Sequence, residues 1–453
     1  MAWLVAKLWG FLRGPDLPRE ARRTYRFHLA YAVLDAAAGG ILLNAPQMAL
    51  RLMDAPNWQL PLREMYSGVG MLAALYLGSW MAPRRKMPFV FIPGMLCGLT
   101  MMAMALAVGE AFWFMTFLGI SAMFEITVRQ AVTAIVRLNY PVVQRGAATG
   151  EIRKWSSLSV LVVAFLSACA LHWAGDSTVQ VAQAQIVCAA VLSLASFLCF
   201  RRIRVQEDPD KLRHDLQPEV LKNFRDAVGM VVRDGRYRRY LLACFVDGFC
   251  GALYLPLIWA LLSKTLEFNF VWSTVLMHSL PALVAFAATG LLGHWFDRTN
   301  PWIAWAWIRF MYGLDALLLA ATPLFMPDSP PATLPLAVIM LPVLGRILRG
   351  SMQGGQFVMW WQIGVTHFAP PGEDTSRYMG MMGFLTGAIR LGASAVAIVL
   401  TALAVTPETL LVIGGLGVIL AGLYSLWQAV RERKERRPQT IAEFESQFTG
   451  IEP

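Results

Sequence analysis

Polar and apolar positions in this chain alternate on the scale of whole membrane crossings. Apolar runs of about 20 residues recur from end to end, each long enough to cross a hydrocarbon core ~30 Å thick. They predict twelve helices, near 27–49, 64–82, 87–108, 111–136, 155–173, 180–200, 239–262, 270–294, 301–325, 334–364, 378–403 and 409–430. The fold class that follows is an all-α membrane protein, because a helix satisfies its own backbone polar groups inside lipid. One polar stretch, 201–238, is much longer than the rest and divides the runs six and six. The predicted organisation is an amphipathic N-terminal segment over 1–26, a six-helix bundle over 27–200, a linker over 201–238, a second bundle over 239–430 and a tail over 431–453.

Two polar stretches carry helical patterns of their own. Within 1–14, Lys7, Gly10 and Arg13 form a narrow polar stripe beside Trp3, Leu4, Leu8, Trp9 and Phe11. That predicts a helix lying in the membrane interface. After Pro218, Val220, Leu221, Phe224, Val228 and Val231 predict an amphipathic helix under the membrane.

Composition agrees with the pattern. Hydrophobic residues make up 57% of the chain and charged residues 15%, against roughly 25% charged in soluble domains. The net charge of +10 raises the question of nucleic acid, but its distribution answers it. With both termini cytoplasmic, 31 of the 39 Lys and Arg fall in cytoplasmic segments and only Arg51, Arg63 and Lys264 in external loops. This is the positive-inside asymmetry of a cell (inner) membrane protein in contact with lipid, not a nucleic-acid surface. The six cysteines all lie in apolar runs without a CxxC pair, so neither a metal nor a cofactor is expected. No nucleophile–base constellation or phosphate loop points to an enzyme.

The informative residues are the charges inside the runs. An intramembrane carboxylate costs about 2.5–3.5 kcal/mol at the bilayer centre on insertion scales, so each calls for a reason. Asp35 and Asp247 are two of them, and they are related. At a constant offset of 212 residues, Tyr25 matches Tyr237, Arg26 matches Arg238, Asp35 matches Asp247, Gly39 matches Gly251 and Leu43 matches Leu255. The repeat predicts two related halves. His28, Tyr31 and Asp35 share one helix face, and Tyr240, Cys244, Asp247, Gly251 and Tyr254 form a stripe on another. Glu125 and Arg129 form an i,i+4 pair. Arg346, Arg349, Gln353 and Gln356 follow helical spacing on the tenth run. Arg390 has no acid four residues away, and Asp247 or Asp315 are its candidate partners.

Three features together resemble the major facilitator superfamily. The duplicated six-helix plan with a long basic middle loop is the first. The second is a short loop signature, a Gly, three intervening residues, then Asp-Arg and further basic residues. Gly293, Asp297 and Arg298 match it in the second half. In the first half Gly78 and the cluster Arg84, Arg85 and Lys86 remain, but Ala82 and Pro83 replace Asp-Arg. The third is the turn Pro141, Arg145, Gly146 and Gly150. The resemblance implies two pseudo-symmetric six-helix bundles around a central cavity opened alternately to either side. It implies gating roles for Gly293, Asp297, Arg298, Arg84 and Arg85, and cavity-lining positions on runs 1, 4, 7 and 10.

The expected function is secondary active transport of a small organic solute by alternating access, coupled to protons. Asp35 and Asp247 are the proton-coupling candidates, since a carboxyl withdrawn from water can load and release a proton. Arg129, Arg346, Gln353, Arg390, Tyr31 and Tyr254 are the substrate-binding candidates, arginine forks being suited to carboxylate or phosphate. The rival expectation is a transporter fold used as a membrane scaffold or assembly factor, with the basic loop and tail as docking surfaces.

Overall fold

The computed structural model describes residues 17–81, 84–207, 220–326, 335–358 and 375–449. The stripe in 1–14 and the substituted positions Ala82 and Pro83 lie outside them. Every described element is helical, and no strand occurs among the described residues. In chain order the long helices are α1 (Arg19–Leu42), α2 (Ala45–Leu52), α3 (Leu62–Met81), α4 (Met87–Leu106), α5 (Ala111–Asn139), α6 (Val142–Trp173) and α7 (Thr178–Arg201). There follow α8 (Val220–Arg233), α9 (Gly235–Tyr254), α10 (Leu280–Arg298), α11 (Pro301–Ala321), α12 (Leu336–Val358), α13 (Thr375–Ala402) and α14 (Pro407–Thr449).

Eleven stretches among the described residues are long and apolar enough to cross a membrane. The expected second run forms α3, which is 20 residues long but is not one of the eleven. Its Glu64, Tyr66, Ser67, Gly68 and Gly70 dilute its hydropathy. The first run is interrupted. α1 ends at Leu42, and the chain restarts as α2 with Pro46 in its first turn, where a missing N–H costs nothing. The fifth run begins earlier than expected, at Val142 rather than 155. The apolar pattern leaves residues 142–154 in the connection between the fourth and fifth runs. They extend the helix instead, and only Tyr140-Pro141 turns the chain, held by Arg145 donating to the carbonyls of Arg137 (2.8 Å) and Tyr140 (3.3 Å). The amphipathic linker helix is present as α8.

The chain forms two compact units. The first comprises Met1–Met230, Ala252–Ser279 and Gly380–Pro407. Within it α1 packs on α6 and α7, α4 on α5 and α7, and α3 on α5. Glycines set the closest approaches. A Cβ on Gly40 would meet the Val160 carbonyl at 2.8 Å, and one on Gly70 the Met123 carbonyl at 2.8 Å. Gly68 of α3 and Gly387 of α13 cross backbone to backbone, with a Cβ on Gly68 falling 2.7 Å from Leu391 N and 2.9 Å from Gly387 O. Small residues at such crossings are how apolar helices associate in lipid.

Residues 203–207 lace several helix ends of this unit together. Asn139, at the end of α5, donates to the Arg204 carbonyl (2.8 Å) and to Thr24 of α1 (3.0 Å), and accepts from the Gln206 backbone (3.1 Å). Gln206 donates to Glu20 of α1 at 2.8 Å. Glu207 accepts from the backbone N–H of Lys86 at 2.7 Å, at the start of α4. A carboxylate there both caps an orphan donor and complements the helix dipole.

The second unit comprises Val231–Gly251, Leu280–Met379 and Glu408–Pro453. α12 packs against α10 and α11. Gly313 of α11 meets Gly415 of α14, where a Cβ would lie 2.7 Å from the Gly415 carbonyl. Gly350 of α12 meets the Pro281 carbonyl at 2.6 Å on the same construction.

Candidate functional site

In the first unit, charged side chains gather inside membrane helices. Asp35 sits midway along α1 and is half-buried. Glu125 and Arg129 of α5 form an ion pair with each other. They are also the charged groups whose fields reach Asp35. Asp35 itself has no ion pair within 4 Å among the described residues. Tyr31, one turn below Asp35, is buried among Phe197, Phe200 and His28, its ring 4.8 Å from that of Phe200. Its hydroxyl lies within the field of Asp35, Glu125 and Arg129.

Arg390 lies in the same unit. Its partner is neither Asp247 nor Asp315, the two acids the sequence offered, but Glu64 of α3 at 3.0 Å. Helix crossing explains the choice. Gly68 lies one turn from Glu64 and Gly387 one turn from Arg390, and their contact brings the two side chains into register.

In the second unit the charges are deeply buried and closely paired. Asp247 of α9 accepts from Arg309 of α11 at 2.7 Å, with the two side chains 4% and 1% exposed. The Arg309 guanidinium also stacks over Trp305 at 4.3 Å and faces Tyr312 at 5.5 Å. Arg346 of α12 donates to Asp315 of α11, and Arg349 lies 3.6 Å from the same carboxylate. Gly345 makes room for this contact, since a Cβ there would stand 2.9 Å from Asp315 Oδ1. Buried pairs of this kind are strongly destabilised by removal of one member, because the other charge is left in low dielectric.

The remaining candidates are more scattered. Gln353 is on α12, two turns beyond Arg346, and is exposed. Tyr254 is the last residue of α9 and is buried. Arg84 caps back onto Trp80, donating to its carbonyl at 2.9 Å and lying over its ring at 5.2 Å. Arg85 is exposed. Gly293 and Asp297 are on α10 and Arg298 ends it, exposed; the Asp297 side chain lies outside the described residues.

Sequence reasoning missed four participants: Glu125 as a neighbour of Asp35, Arg309 as the partner of Asp247, Asp315 as the partner of Arg346 and Glu64 as the partner of Arg390. It saw Glu125 only as the helical neighbour of Arg129. The available signal was the small residue one turn from each member of the Glu64–Arg390 pair.

The family model of the Major Facilitator Superfamily matches residues 29–389. No curated protein sequence matches the chain. Several solved structures share its fold. A POT family transporter in complex with a thioalcohol-conjugated peptide superposes with a TM-score of 0.65 at 12% identity, covering 91% of this chain and 96% of that one. A bacterial homologue of the human lysosomal transporter Spinster, in an inward-facing and occupied conformation, gives 0.63 at 12% identity over 89% and 95%. The nucleoside transporter NupG gives 0.61 at 12% identity over 90% and 98%. Identities this low speak for the fold alone. The match of the family model over most of the chain, with eleven membrane-length apolar helices among the described residues, identifies this protein as a member of the Major Facilitator Superfamily, a multi-pass membrane protein with that family's transporter fold.

Proposed function

We propose that the protein is a proton-coupled secondary transporter of the cell membrane, moving a small organic solute by alternating access. The observation that carries this reading is Asp35, a half-buried carboxylate within a membrane helix that makes no ion pair within 4 Å among the described residues, while Glu125 and Arg129 pair with each other. Arg129 neutralises the carboxylate it touches, and the other is an intramembrane acid with no cation of its own. Such an acid is held most cheaply with a proton on it, and it gives that proton up when water or a cationic group reaches it. Asp35 is the proton carrier in this scheme, Glu125 and Arg129 set its field, and Tyr31 lines the same place. Arg129 is also the group best exposed to meet an anionic or polar part of the solute, with its side chain 70% accessible.

Asp247, the repeat-related carboxylate, is proposed as the second coupling group. Its protonation would release Arg309, which then becomes available to a solute or another acid. Arg346, Arg390, Gln353 and Tyr254 remain proposed solute contacts, with Arg346 and Arg390 each reaching the solute only after leaving Asp315 or Glu64. Gly293, Asp297, Arg298, Arg84 and Arg85 are proposed to gate the cytoplasmic side.

The test uses purified protein in liposomes with an internal pH-sensitive dye and an imposed pH gradient. Nucleosides and short peptides, the solutes named for two of its structural relatives, serve as probes, followed by other metabolites. Proton movement on adding a transported solute, lost in Asp35→Asn, supports the reading. Solute uptake that is equal with and without the gradient, and equal in Asp35→Asn, overturns the coupling.

A further inference from the structure

In the second unit, the start of α9 and the exit of α14 from its apolar stretch are tied together. Arg236, in the first turn of α9, meets Glu432 of α14 at 2.7 Å. Asp234 fills the break between α8 and α9. Its Oδ1 accepts from the backbone N–H groups of Arg236 and Tyr237, both at 3.0 Å, as an N-cap does. Arg238 turns back toward the last turn of α8 and donates to the Val232 carbonyl at 3.2 Å. Three helix ends, all within Val231–Gly251 and Glu408–Pro453, therefore meet at one junction. On the topology that the Lys and Arg distribution predicts, this junction lies at the cytoplasmic face of the membrane.

Cations and apolar side chains share its outer surface. Arg233 and Arg238 are exposed, as is Arg431, which lies over the Trp427 ring at 5.9 Å. Val232, Trp427 and Val430 are exposed beside them. Such a mixture suits the boundary of a bilayer, where an indole ring sits at headgroup depth. From Val430 an exposed apolar stripe runs back along α14 through Trp427, Leu423, Leu420 and Leu416. At a rise of 1.5 Å per residue it is about 21 Å long, more than one leaflet of a ~30 Å core. The two acids of the junction are engaged inward: Asp234 caps α9, and Glu432 faces Arg236 with its side chain 12% exposed. Outward, the described residues present guanidinium forks and no exposed carboxylate.

We propose that this junction binds an anionic phospholipid of the cytoplasmic leaflet, its phosphate taken by Arg233, Arg238 and Arg431 and one acyl chain laid along the α14 stripe. Guanidinium forks match the geometry of phosphate oxygens. A headgroup without an ammonium fits best, because a zwitterionic lipid would bring its own cation against three arginines with no exposed acid to receive it. The bound phosphate would also relieve the mutual repulsion of these cations and so hold the ends of α8, α9 and α14 together. The inference does not depend on transport or on the coupling groups.

Fluorescence quenching of the full chain in lipid nanodiscs tests it. The chain holds 16 tryptophans, so the Trp427 signal is read as the difference between each protein and its Trp427→Phe counterpart. Phosphatidylglycerol with brominated acyl chains, as a minor component in phosphatidylcholine, should quench that signal more than brominated phosphatidylcholine in the same proportion. Arg233→Gln/Arg238→Gln/Arg431→Gln should weaken the preference about fivefold for each cation removed. Arg233→Lys/Arg238→Lys/Arg431→Lys, which keeps the charges, should retain most of it. Equal quenching by the two lipids in wild type overturns the proposal, even if the variants do not fold. A preference unchanged in the glutamine variant overturns it too. Soluble glycerol phosphate that displaces the brominated lipid as readily as unbrominated phosphatidylglycerol does would make this a site for free anions instead. Equal displacement by phosphatidylethanolamine would refute the selectivity for anionic lipid.

Discussion

Arg390 Nη1 stands 3.0 Å from Glu64 Oε2, one helical turn from the point where Gly387 and Gly68 bring α13 and α3 into backbone contact. The pair is about one-third exposed on each side, so water weakens it. A double-mutant cycle with Glu64→Gln and Arg390→Gln should give a coupling of about 1 kcal/mol in thermal unfolding, between the values of surface and buried pairs. Additive effects of the two substitutions would show that the contact contributes nothing.

The glycine crossing itself should be far less forgiving. Gly68→Ala places a methyl 2.7 Å from one backbone atom and 2.9 Å from another, neither of which can swing aside. A loss of about 1–3 kcal/mol is expected from overpacking. Gly39→Ala is the control, because nothing lies within 4 Å of the Cβ it would add. There the better helix propensity of alanine should hold or raise the melting temperature. Equal melting temperatures for the two variants would contradict the crossing.

Asp247 and Arg309 should behave as a unit. Asp247→Asn removes the carboxylate partner of a buried guanidinium, a change that costs about 3–5 kcal/mol in comparable buried pairs. The stacking of Arg309 on Trp305 places the expected loss at the lower end of that range. Asp247→Leu/Arg309→Met should recover much of it. Detergent-solubilised thermal unfolding compares the three proteins.

Asp35 should contrast with its repeat partner. It is half-buried and makes no close ion pair among the described residues, so Asp35→Asn should unfold within a few degrees of wild type. Its effect should appear in transport, as solute flux that no longer responds to a pH gradient. A large fall in melting temperature would instead make Asp35 a structural group.

Asn44 is fully buried, its amide donating to the Ala164 carbonyl (2.9 Å) and Ser167 (3.1 Å) and its oxygen accepting from Thr274 (2.6 Å). Asn44→Ala leaves Thr274 and Ser167 without its donors and acceptor in a fully buried place. Each orphaned polar group costs about 1–3 kcal/mol. Asn44→Asp, which cannot donate to the Ala164 carbonyl, should not rescue the melting temperature.

The helices were legible because lipid demands long apolar runs, and no local competition disguises them. Helix ends were less so. The polar residues 142–154 belong to α6, since leaving the membrane does not oblige a helix to stop. The repeat also showed in the sequence, and Gly39 and Gly251 share an open environment in the structure. Electrostatic partners were the least legible. Glu125 and Arg129 could be paired from their spacing alone, whereas Glu64 and Arg390 are 326 residues apart (390 − 64) and meet only because of how two helices cross. Asp35 and Asp247 occupy matching positions but differ in pairing: Asp35 makes no ion pair within 4 Å among the described residues, whereas Asp247 is closed onto Arg309. A sequence repeat preserves where a side chain sits on its helix. It does not preserve what the adjoining helices bring to it.

The lacing at 203–207 bears on how the protein can be taken apart. Arg204, Gln206 and Glu207 are covalently the root of the linker, yet their hydrogen bonds run to Asn139, Glu20 and the first turn of α4. Helices α1–α7 therefore finish structurally at Glu207, not at the last apolar residue. If the two halves are expressed as separate polypeptides, a cut after Glu207 should leave the amino-terminal piece with its helix ends tied. A cut after Arg201 removes the carboxylate that caps α4 and lets the ends of α1, α4 and α5 splay.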